Sequence, residues 1–109
     1  MSDRIEQQMR MWVPQREQRE KIGDRLDQPR ELDHFSYFRR RKAAEAAAGE
    51  LAALGFRVSV SRRGLKHGVE ASRDDVLTDD GLRAILTEVI GVVSSHGGEY
   101  DGFGGTIVQ

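Results

Sequence analysis

The residues able to do chemistry in this 109-residue chain are few and scattered. Its three histidines, His34, His67 and His96, show no His-x-x-x-His spacing of the kind that sets two ligands on one helix face, so a metal centre has no support. There is no cysteine, which removes disulfides, thiol nucleophiles and thiolate metal sites. Asp33 precedes His34 directly, but neighbours on a strand point to opposite faces and cannot by themselves form an acid-oriented base. His34 and Ser36 share a face, with nothing to supply an oxyanion hole. Glu99 and Asp101 share a strand face and could form a carboxylate pair with one raised pKa, although an acidic edge is the commoner outcome. A ligand site near His34 and Glu99 would require His34 to reach the last strand. These residue types predict no cofactor, no metal and no catalysis.

Binding chemistry is better represented. Arg39-Arg40-Arg41-Lys42 stands at the start of a predicted helix, where positive charge opposes the dipole and gains nothing for stability. It suits phosphate or an acidic protein surface, and with Arg62, Arg63 and Lys66 it makes a nucleic-acid-associated module the second reading. Base stacking has half its requirements: Phe35 and Tyr37 alternate on one strand, but residues 68–73 hold no aromatic, and Glu70 would repel phosphate. The isoelectric point near 6.3 also lacks the strongly basic signature of a nucleic-acid binder. Glu99-Tyr100-Asp101-Gly102-Phe103 instead sets aromatics beside carboxylates on an edge strand, a surface that a protein partner can read. A bulge at Gly102 would turn Tyr100 and Phe103 inward and leave Glu99 and Asp101 exposed.

Several elements must position these groups. Leu82, Ile85, Leu86, Val89, Ile90 and Val93 form one apolar stripe, which predicts a helix over 79–96 with Thr78 as N-cap and Gly97 at its end. The alanine-rich stretch predicts a second helix over 40–54, closed by Gly55 with Phe56 folded back. Strands are expected at 32–38, 56–61, 67–73 and 99–108, with a hairpin loop over 62–66. With right-handed crossovers, this order gives an α+β fold: a ferredoxin-like βαββαβ two-layer sandwich with a four-stranded antiparallel sheet. Residues 1–31 form a helical N-terminal extension in which Pro14 interrupts or restarts the helix, and residues 32–109 form the ferredoxin-like domain. Leu32 and Phe38 share one face of the first strand, and Phe35 and Tyr37 share the other, while two helices cover only one. The N-terminal segment or a second subunit is therefore expected over the second face.

Composition sets the outer limits. Hydrophobic and charged fractions of 38% and 32% suit a single soluble domain. No run approaches the roughly 18 apolar residues of a membrane span, and the N-terminus lacks the pattern of a secretory signal, so a cytoplasmic protein is expected. The net charge of −1 hides an asymmetry: residues 34–67 hold 8 basic against 2 acidic side chains, and residues 68–109 hold 2 against 8. A bipolar chain of this kind steers toward charged partners or toward itself, unless the halves neutralise each other across the fold.

Two stretches together resemble the family of regulators of ribonuclease E activity B, also called ribonuclease E inhibitor B. One is Gly23-Asp24-Arg25-Leu26-Asp27-Gln28-Pro29-Arg30-Glu31-Leu32-Asp33-His34-Phe35-Ser36-Tyr37-Phe38, and the other is Gly97-Gly98-Glu99-Tyr100-Asp101-Gly102-Phe103-Gly104. Phe103 stands where the family usually has tryptophan, and Gly105 replaces an acidic or polar residue. The resemblance implies the ferredoxin-like fold and a non-catalytic regulator that binds a ribonuclease E-type nuclease and alters RNA turnover. It selects a protein partner over direct RNA binding, with Glu99, Asp101, Phe103, His34, Arg39, Arg40 and Arg41 as interaction candidates and a homodimer as a further possibility.

Overall fold

The computed structural model describes residues 2–109. Helix α1 (Ser2–Lys21) precedes β1 (Arg30–Phe38), α2 (Arg41–Ala53), β2 (Arg57–Arg63), β3 (Lys66–Asp75), α3 (Asp79–Ser95) and β4 (Glu99–Gly105). The strands form one antiparallel sheet in the order β2-β3-β1-β4. After α1 the order is βαββαβ, and the result is an α+β two-layer sandwich of ferredoxin-like topology. Helix α3 buries the whole predicted stripe, and its Thr78 cap accepts a hydrogen bond from the Gly81 amide at 3.1 Å. Helix α2 buries Ala44, Ala47, Ala48 and Leu51, small side chains that let it lie close to the sheet.

All three helices end in the same way. The amides of Asp24, Phe56 and Gly98 donate to the carbonyls of Arg19, Leu51 and Val93 at 2.9, 3.1 and 2.9 Å. These are the six-to-one bonds of the Schellman ending, made possible by left-handed glycines at 23, 55 and 97. Burial alternates along β1: Arg30, Leu32, His34, Ser36 and Phe38 face the helices, whereas Phe35 and Tyr37 face away.

Three expectations require correction. Helix α1 runs without a break through Pro14, because the proline is exposed and its flanks are fixed on the opposite side. There the Trp12 indole and the Arg16 guanidinium both donate to the Asp79 carboxylate, at 3.0 and 2.7 Å. The N-terminal segment does not cover the Phe35–Tyr37 face either: Trp12, 1% exposed, enters the helical layer and packs near Phe103 with ring centroids 6.1 Å apart. The last strand ends at Gly105, because the following residues are captured by the α1–β1 loop. Arg25 donates its amide to the Val108 carbonyl at 2.7 Å, and the Val108 amide donates to Asp24 at 3.2 Å.

Asp24 is the centre of that capture. Arg30 donates to both of its carboxylate oxygens, at 2.8 and 2.9 Å, and Arg19 adds a third bond at 2.9 Å. Burial alone would push the Asp24 pKa up, but the bonds from Arg19, Arg30 and the Val108 amide together hold it below its ordinary value. Replacing Asp24 by alanine leaves Arg30 buried without its anion and is expected to cost about 3–5 kcal/mol in urea unfolding. Two glycines test the packing in opposite directions. A Cβ at Gly98 would lie 2.3 Å from a ring carbon of buried Phe38, so Gly98→Ala is expected to destabilise by about 1–3 kcal/mol. Gly49, inside α2 with open space around it, is expected to gain up to about 1 kcal/mol as alanine in the same measurement.

Candidate functional site

Among the described residues, no helix covers the outward face of the sheet. Cross-strand register arranges this face in rows. Phe35 has Glu70 beside it on β3 and Gly102 on β4, while Tyr37 has Gly68 and Glu99. The next row toward the start of β1 is Arg57, Ser72, Asp33 and Gly104, with Ser72 donating to Asp33 at 2.6 Å. Phe35 is 37% exposed, and the carboxylates of Glu70 and Glu99 face solvent. Each aromatic ring thus has a carboxylate-bearing residue on one side and a glycine on the other, bare beside Phe35 and overlaid by Arg63 beside Tyr37.

The irregularity in β4 decides which groups appear here. Ser36 pairs with Tyr100 and Phe35 with Gly102, so Asp101 is the extra residue of a bulge and is exposed. The same shift turns Tyr100 and Phe103 toward the helices. His34 lies under this strand at 1% exposure, its Nδ1 2.8 Å from the Tyr100 hydroxyl. Phe56, Tyr100 and Phe103 surround its ring, and its Nε2 has no partner in either tautomer. Burial first, and then the positive charge of Arg73, lower the His34 pKa to about 4 against a weak opposing pull from Asp33. Burial raises that of Tyr100. His34 reaches the last strand through Tyr100 and not through Glu99, which sits on the opposite face of the sheet. The two therefore form no joint ligand site.

The two basic stretches meet in space. Phe38 at the end of β1 pairs with His67, and Arg62 pairs with His67 from the other side, so Arg39–Lys42 adjoins the β2–β3 hairpin. Arg41 bonds Glu45 at 3.0 Å. Among the described residues, Arg39, Arg40, Lys42, Arg62, Arg63 and Lys66 make no ion pair. Asp27, Asp79 and Asp80 gather at the other end of the sheet, around the start of α3. The charge asymmetry of the sequence is thus separated along the molecule.

The structure brings Glu99 and Asp101 to the surface beside the aromatic face, places Arg39, Arg40 and Arg41 at its basic end, and sets His34 and Phe103 beneath it. Asp33, Ser59 and Glu70 were not identified from sequence as neighbours of Phe35. Strand alternation already sets Asp33 beside Phe35 on β1, but only cross-strand register brings Glu70, and Ser59 beyond it, to the same row.

His34 gives a pH signature. Its folded pKa of about 4 lies below the 6.5 of the free side chain, so the unfolded state binds the extra proton between those values. Its contribution is complete above pH 6.5 and is lost as pH falls toward 4, a total of about 3 kcal/mol. Urea unfolding across this window should show the slope, and His34→Asn should flatten it.

Residues 16–105 match the profile of the family described as Regulator of ribonuclease activity B (RraB), and the chain belongs to that family, as its two motifs indicated. A search of curated proteins gives no match.

Proposed function

We propose that this member of the family regulates a ribonuclease E-type endonuclease by binding the nuclease protein, without cutting RNA itself. Family membership supplies the regulation of ribonuclease activity. The observation that carries the protein-binding reading is the helix-free sheet face, where exposed Phe35 and half-buried Tyr37 lie among carboxylates next to Glu99 and Asp101. Half-exposed aromatics ringed by polar groups are the usual anchors of a protein interface. In this reading Glu99 and Asp101 touch the partner, while His34 and Phe103 hold β4 in position from below. Arg39, Arg40 and Arg41 form a separate contact at the sheet end. A homodimer is disfavoured along the outer edge of β2, where Arg62 and Arg63 would bring like charges together.

The merged basic end supports a second reading, contact with RNA phosphates, because six of its cations have no acidic partner among the described residues. Salt separates the two: phosphate contacts weaken steeply with ionic strength, whereas an aromatic-anchored protein contact loses much less.

The deciding experiment is RNA cleavage by the host's ribonuclease E-type enzyme with and without this protein, alongside the protein alone. Slowed or redirected cleavage is expected, with potency reduced about tenfold in Glu99→Ala/Asp101→Ala. Loss of the effect in Arg39→Ala/Arg40→Ala, with Glu99 and Asp101 dispensable, would favour the basic-end reading. Cleavage by the protein alone would overturn both.

A further inference from the structure

The two ends of the open face differ in charge, and this difference specifies what it can receive. Two residues before Phe35 on β1, Asp33 lines a depression of ≈ 250 Å³ together with Glu31, Arg57, Ser59, Glu70 and Ser72. Arg57 is bonded to Glu31, which neutralises the one cation there. Asp33 and Glu70 have no cationic partner among the described residues, and Asp33 accepts only from the Ser72 hydroxyl. On the β4 side the same rows end in Gly102 and Gly104, so no side chain covers the flank of Phe35. Toward Tyr37 the sign reverses: the Arg63 side chain lies over Gly68, close to the Tyr37 ring, in a second depression that Phe35 and Glu70 also line.

We propose that the acidic half of the open face is a receptor for an arginine side chain carried on an extended segment of a partner protein. The aliphatic stem lies over Phe35, and the guanidinium enters the depression between Asp33 and Glu70. This assignment rests on the reading that the open face is the protein-binding surface, and it names the chemistry recognised there. A guanidinium is flat enough to stack on the ring and has five donors for two carboxylates and the Ser59 hydroxyl. A lysine ammonium matches only the charge. Phosphate or an acidic peptide would meet Asp33 and Glu70 together and be repelled. Arg63 keeps the arginine at Phe35 and away from Tyr37. The glycines on β4 leave room for an extended backbone running along β1.

The test is an NMR titration of the full-length, ¹⁵N-labelled protein with three probes. These are a short Thr- and Val-rich peptide with one central arginine, the same peptide with lysine, and a single-stranded RNA oligomer. The arginine peptide is expected to shift the amides of Phe35, Ser59 and Glu70, and the lysine peptide to bind several-fold more weakly. Phe35→Ala and Glu70→Gln should each weaken the arginine peptide about five- to tenfold. Both side chains point outward, and unchanged thermal melts would show that the variants remain folded. Equal binding of the lysine peptide, indifference to both substitutions, or saturation of the same amides by the RNA oligomer would each overturn the proposal. If Phe35→Ala abolishes nuclease regulation while the arginine peptide causes no shifts, the arginine assignment falls and the protein-binding reading stands. If the peptide binds as expected but the nuclease is unaffected, the assignment stands and the nuclease reading falls.

Discussion

The buried pair formed by Asp24 and Arg30 is the constraint on which the rest of the molecule depends. Both side chains are almost wholly removed from water, so neither tolerates loss of the other. Through the pair, the turn after α1 and the first residue of β1 are fixed at one corner to the C-terminal segment, which lies far away in sequence. Arg30 also donates to the carbonyls of Arg25 and Thr106 at 2.7 and 2.9 Å, which satisfies backbone groups that leave the sheet there. Such a node adds specificity more than stability, because desolvating two charges offsets much of their attraction.

The direction of α1 follows from this corner. The helix ends at Lys21, three residues before Asp24, and runs along α3, where Glu6 bonds Arg83 and Trp12 bonds Asp79. It therefore thickens the helical layer instead of covering the far side of the sheet. Arg4 and Arg19 also donate to the Tyr100 and Gly105 carbonyls, at 3.3 and 2.8 Å, so α1 occupies part of the outer margin of β4. An edge strand is thereby partly blunted, while the sheet face stays free. Support for that face comes from the His34–Tyr100 hydrogen bond and the aromatic packing around it, which secure β4 to β1 from beneath.

Much of the fold was legible in the residues. The apolar stripe of α3 shows the helical period directly, Gly55 and Gly97 mark the ends of α2 and α3, and alternation in β1 separates its two faces. The continuity of α1 was not legible, since Pro14 is a local stop signal overridden by tertiary bonds from Trp12 and Arg16. The length of β4 was not legible either, since residues 106–108 leave the sheet for partners 76 to 87 positions earlier. For the candidate site, the exposed carboxylates and the aromatic pair were visible as types, and the basic runs were visible as two separate stretches.

By itself, the sequence determined the element order from β1 onward, the terminators of α2 and α3, the shared parity of Phe35 and Tyr37, and the family motifs, because each of these is encoded within a few neighbouring residues. The tertiary structure alone decided which outward residues became neighbours. Register set Glu70 beside Phe35 and Glu99 beside Tyr37, the bulge at Asp101 sent Tyr100 inward, and the sheet end joined Arg39–Lys42 to Arg62–Lys66. Such adjacencies depend on pairing between distant strands, where a shift of one residue would move every side chain to the opposite face.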